Sequence, residues 1–300
     1  MWGRIFGATP VVMTVIATML AGLASSEMTK AQYDRSLAAQ QQSKAGDQWS
    51  FFQAKRLRSA LQHNTLDLLQ AANEVQSVDT ETLRQAVLSS GPDHAQTAAL
   101  LASEAGQRAL TLLVKGELPA LPASAAPLPE VQAALTAIDD LRPESEIAAL
   151  MAHLSDPMLT AALLAAKARS DAFDNATRPI NQLIEALNRA LTAQRTGGGT
   201  LKRDFTAVRV SFAAARYDAE ARLNQPIANL YELQVRKNNL SAERHHNRSQ
   251  RFFYGMLGAQ MAVIISTFAV AARKRNLLWS LAAAAGAAAL LFATYVYLFI

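Results

Sequence analysis

Five histidines, His63, His94, His153, His245 and His246, are the side chains best suited to proton transfer or metal binding, and no cysteine accompanies them. Without thiolates a soft-metal site is excluded, and a zinc site would need imidazoles and carboxylates converging from several helices. The sharpest pattern is Glu243-x-x-His246, because residues three apart share a helix face, as they do in di-iron bundles. Such a centre needs a second pair and two further glutamates, and neither is visible. A metal at Glu243 and His246 is therefore left only to an assembly. His245 and His246 project about 100° apart on a helix and make poor co-ligands. The stretch TGGGT, residues 196–200, has neither a Walker lysine nor a preceding strand, so it reads as a hinge. Asp139 and Asp140 precede an arginine and a proline at a helix end and read as solvated. There is no Gly-x-Ser-x-Gly element. These residues point to no catalytic group, no metal and no cofactor.

The elements that carry them begin and end in lipid-like sequence. Hydrophobic residues make up 51% of the 300 and charged ones only 18%. Three runs, 5–24, 253–272 and 277–300, contain no charged side chain. Each has at least 20 residues, enough to cross a hydrocarbon core of about 30 Å. The first run is long for a cleaved signal peptide, so a retained signal anchor is expected.

Charge then sets partners and orientation. All 24 acidic residues lie between Glu27 and Glu243. Four of the 29 basic residues, Arg4, Arg273, Lys274 and Arg275, flank the spans, which leaves 25 facing 24 in the region between. That balance provides no basic field for phosphate, so no nucleic acid is expected. The tight RKRN turn and Arg4 fall on one side of the bilayer, which places the large domain on the other, periplasmic, side of an inner membrane. Arg248, Arg251, Arg273, Lys274 and Arg275 are the expected lipid-headgroup contacts.

Between the spans the pattern is helical. Residues 26–76 hold no proline and only one glycine, and read as a helix rising from the first span. Residues 201–252 read as its descending partner, kinked at Pro226. About fifty residues on each side extend about 75 Å apiece, which lets them close as an antiparallel coiled-coil stalk. Equal heights above the bilayer pair residue n with about 277 − n, setting Lys44 against Glu232 and Lys55 against Glu220. Trp49, Phe51 and Phe52 then form a clamp against Ile227, Leu230 and Tyr231. Residues 77–200 carry shorter helices, a proline-rich joint at 117–130, and no strand-like alternation, and read as a small helical tip.

Within the spans, Gly255, Gly258, Ala259 and Gly286 offer small faces for helix packing. Gln260 is an amide in lipid and should face another helix. The fold expected is an all-α membrane protein: three transmembrane helices, 1–25 and a hairpin at 253–300, with the stalk and the tip.

Several of these stretches together, AGDQWSFFQAK, RYDAEA, HHNRS, Gln260 in the second span and RKRNLLW, resemble the bacterial membrane family called domain of unknown function 4337, over residues 5–70 and 210–300. The departures are a very short N-terminal head, Phe51-Phe52 where tyrosines are common, and a long insertion between the arms. The resemblance implies architecture and no catalytic residue. The function expected is a non-enzymatic structural or scaffold protein that forms homo-oligomers in contact with membrane lipids. The alternatives are an accessory subunit of a larger membrane complex and, less favoured, an oligomeric channel.

Overall fold

The computed structural model describes residues 2–89, 95–120, 128–193, 199–272 and 275–299, and their regular structure is entirely helical. In order, the helices are α1 (Trp2–Ala72), α2 (Thr80–Ser89), α3 (Ala95–Ala102), α4 (Glu104–Lys115), α5 (Pro129–Asp139), α6 (Glu144–Ala152), α7 (Asp156–Ala193), α8 (Gly199–Ala271) and α9 (Arg275–Phe299). Three of them, α1, α8 and α9, contain stretches long and apolar enough to cross a membrane. The pair α6 and α7, bent by 94°, passes the same test jointly, by length and composition alone.

The chain divides into two compact units, one of residues 1–42 and 234–300, the other of 43–233. In the first, α1, α8 and α9 pack through Ala17, Leu20, Ala24, Phe252, Ala259, Ala289, Ala293 and Val296. Trp279 Nε1 donates to Thr9 Oγ1 at 2.9 Å, which ties the start of α9 to the start of α1. Small residues permit this closeness. A Cβ on Gly286 would lie 2.3 Å from Met13 Sδ.

The second unit has two layers of packing. Along α1 and α8, α7 contributes a third helix: Lys167 Nζ donates to the Tyr231 hydroxyl at 2.8 Å and Arg216 to Asn181 Oδ1 at 2.8 Å. At the other end of α7, Ile180, Leu183, Leu187 and Leu191 join α2, α3, α4, Phe205 and Phe212 in one apolar core. Residues 156–193 thus run beside the long helices, whereas the sequence placed them in a distal tip. The stretch 95–115 forms two helices, because Ser103 ends α3 and caps α4, its Oγ accepting from Gly106 N at 3.0 Å. Gly106 is obligatory there, since a Cβ would meet the Leu100 carbonyl oxygen at 1.9 Å. Gly116, at φ 67°, closes the other end of α4.

Prolines act by position. Pro157 sits in the first turn of α7, where its missing N–H costs nothing, and it marks the break from α6. Pro179 and Pro226 lie inside α7 and α8, which continue through them. Residues 121–127 of the proline-rich joint, and residues 196–198 of the glycine stretch, fall outside the described residues; Gly199 and Thr200 open α8.

Candidate functional site: the polar contacts of the long helices

The register of α1 against α8 is set by alanine. On α1, Ala24, Ala31, Ala38 and Ala45 recur every seven residues, and all are buried. On α8, Ala214, Ala221, Ala228, Val235 and Ala242 do the same. Serines close the two series. Ser249 Oγ donates to the Ala24 carbonyl at 2.7 Å in the first unit, and Ser59 Oγ to the Ala214 carbonyl at 3.0 Å in the second. Both contacts pair residue n with 273 − n, one helical turn away from the register expected from equal heights. Small side chains let two helix backbones approach, and a seven-residue repeat keeps one face toward the partner.

Of the expected clamp, Ile227, Leu230 and Tyr231 are buried. Trp49 is half-buried; its Nε1 donates to Glu232 Oε1 at 2.6 Å, and its ring meets Phe52 edge-on with centroids 5.5 Å apart. Phe51 does not join them. It is 42% exposed and carries Lys55 Nζ 4.7 Å above its ring. Two residues of spacing turn a helix side chain by about 200°, so Trp49 and Phe51 cannot share a face. Lys44 is exposed, and the carboxylate assigned to it is taken by the indole of Trp49.

Six residues further along α1, the expected Lys55–Glu220 ion pair is present. Glu220 is 7% exposed and is also approached by Arg216 at 3.5 Å. The Tyr217 ring lies 4.6 Å from the Arg216 guanidinium and 5.2 Å from Lys55 Nζ. Burial against the neighbouring helices, with the Glu220 and Asp171 carboxylates, pushes the Asp174 carboxyl above its usual range, against the pull of Lys55 and Arg216. Asp174 stays exposed overall, which keeps that effect small. Arg216 Nε and Glu220 Oε2 are buried and held by ion-pair contacts without a well-formed hydrogen bond. Lys55 and Arg216 both face the Glu220 carboxylate, which makes the network a structural tie.

The first unit holds a similar tie that sequence reasoning missed. Glu27, 8% exposed, meets His245 Nδ1 at 2.5 Å and Lys30 Nζ at 2.8 Å. Burial raises its carboxyl, but the hydrogen bonds and charges of Lys30 and His245 outweigh that and hold it below the usual value. Glu27 and His245 lie near the same height on the pairing rule, which was the available signal. His246 instead contacts Gln250 at 3.0 Å, while Glu243 is exposed. Among the described residues no group of three or more His, Cys, Asp or Glu could hold a metal.

Beside His246 is a cavity of about 510 Å³, lined chiefly by Ala21, Ala24, Met28, Phe253, Tyr254 and Met256, with Ser25 and Gln250 at its polar side. It lies where the first apolar run, 5–24, ends and the second, 253–272, begins. Arg248 and Arg251 are half-buried on the same stretch of α8. Arg273, Lys274 and the Arg275 side chain lie outside the described residues.

In the spans, Gly255 and Ala259 are buried and Gly258 half-buried; Gly255 lies against Leu20, Ala289 and Phe292. Gln260 does not share their position. It is exposed on the opposite side of α8.

Comparison with known proteins bears on the first third of the chain. Residues 6–110 match the family model of a domain of unknown function (DUF4337). That match extends past the first arm of the resemblance, to residue 110, and leaves residues 210–300 outside it. No curated protein and no solved structure matches the chain. The DUF4337 description names no activity, so the likeness of residues 6–110 assigns no role to any residue.

Proposed function

We propose that this chain is a non-enzymatic integral membrane scaffold that self-associates. In this reading α1 and α8 form an antiparallel coiled-coil stalk with α7 packed beside it, the helices α2 to α6 form its head, and the large domain lies on the periplasmic side of a bacterial inner membrane. Arg248 and Arg251, with the loop of Arg273, Lys274 and Arg275, meet lipid headgroups at its edges.

The observation that carries the proposal is how the buried polar groups are used. Trp49 with Glu232, Lys55 and Arg216 with Glu220, and Glu27 with His245 each tie one long helix to another or to its neighbour. A catalytic or transport site keeps polar groups aimed at a space for substrate. These are aimed at each other.

Isolation from native membranes tests the reading. Particles holding only copies of this chain support it. Stoichiometric foreign subunits would instead favour the second reading, an accessory subunit docking through that head. Ion flux through the purified chain in liposomes would favour a channel.

A further inference from the structure

The membrane-spanning part of α8 carries two seven-residue patterns on opposite faces. The inner one is Gly255, Ala259, Ala262, Ser266 and Ala269, all buried. It is small and packs within the three-helix unit. The outer one is Phe253, Leu257, Gln260, Ile264 and Thr267, spaced four, three, four and three, and every member is exposed. Phe253, Leu257 and Ile264 are 47%, 41% and 50% exposed. Steps of four and three are the spacing of a seam that packs against another helix.

Gln260 decides what covers that seam. Among the described residues nothing hydrogen-bonds its amide, although the Thr267 hydroxyl on the same stripe is satisfied by the Val263 carbonyl at 2.8 Å. Gln260 lies seven residues past Phe253, about 10 Å deeper along the helix, beneath the ester and phosphate oxygens of the lipids. Acyl chains offer it neither donor nor acceptor, and a bare amide in hydrocarbon is costly. A primary amide both donates and accepts. The partner that complements it best is a second primary amide, offered in the same apolar setting.

A second copy of this chain supplies one. Copies inserted in one membrane share orientation, so their α8 helices meet in parallel about a two-fold axis along the membrane normal. In such an isologous contact each residue on the axis faces its own equivalent. We infer that the outer stripe of α8 is a homodimer seam, Phe253–Leu257–Gln260–Ile264–Thr267 against itself, with the two Gln260 amides exchanging a reciprocal pair of hydrogen bonds. This rests on the self-association proposed above and names its surface. A single buried polar residue in such a seam also fixes register, because slipping by one turn leaves both amides bare.

The absence of native cysteine makes the test direct. Ile264→Cys in the full chain, which lies on the same stripe and keeps Gln260, should give a disulfide-linked dimer on a non-reducing gel when oxidised in native membranes. Leu291→Cys, on the exposed side of α9 at 73% exposure, should give severalfold less. Gln260→Leu should shift the chain toward monomer in mild detergent, and Gln260→Asn should retain much of the wild-type distribution. Crosslinking at position 264 no stronger than at 291 overturns the seam. If the chain is then still oligomeric, scaffolding survives through another face; if it is monomeric in the membrane, both fall.

Discussion

The indole of Trp49 on α1 and the carboxylate of Glu232 on α8 share a 2.6 Å hydrogen bond. It spans 183 residues of sequence and ties the two long helices together within the second unit. Trp49→Phe keeps most of the apolar contact and removes the bond, so it should cost about 1–2 kcal/mol, as expected for a hydrogen bond to a charged acceptor in a half-buried place. Trp49→Ala should cost about 2–3 kcal/mol, less than full burial of the ring would give. Thermal unfolding of the intact chain in detergent measures both. A Trp49→Phe protein as stable as the wild type would mean that the bond contributes nothing.

The Lys55–Glu220 pair should show strong coupling. Replacing one partner leaves a buried charge, with an expected loss of about 3 kcal/mol for Lys55→Met or Glu220→Gln. Replacing both with apolar residues should recover part of that loss, because neither charge then has to be desolvated. Additive losses in the double-mutant cycle would contradict the network.

The alanine seam predicts a contrast between two small residues. Ala228 is fully buried on α8, so Ala228→Leu should push the helices apart and cost about 1–3 kcal/mol. A Cβ on Gly46 meets nothing within 4 Å, and its helical setting favours alanine, so Gly46→Ala should stabilise by about 0.5–1 kcal/mol. Paired melting curves check both signs.

Those same residues show what the sequence could convey. The spans, the long helices and the Lys55–Glu220 pair follow from runs and lengths that are visible locally. The register missed by one turn because equal heights were taken as the ruler, whereas the alanine and serine positions set it. Phe51 was grouped with Trp49 by proximity in sequence, although helix geometry separates them. The course of α7 depends on contacts such as Lys167–Tyr231 and Asn181–Arg216, far apart in the chain, which no local pattern encodes. The direction of Gln260 was ambiguous for a clearer reason: α8 repeats every seven residues on both faces, so periodicity alone could not say which one turns inward.

Acid should loosen the first unit through Glu27. Its folded carboxyl sits below the usual 4.5. A depressed value means the stabilisation is complete above the unfolded value and disappears as pH falls through the folded one. Stability should therefore hold at neutral pH and decline below about pH 4.5. Glu27→Gln should lower stability at neutral pH and flatten that part of the decline. Thermal melts of the two proteins across pH 3–7 compare the slopes, and identical slopes would remove Glu27 from the account.

Self-association is the claim that most separates a scaffold from a solitary anchor. Mass photometry of the 32.3 kDa chain extracted from native membranes into lipid nanodiscs reads it directly. The account predicts particles carrying two or more copies and no foreign chain. A uniform population with one copy per disc would contradict it.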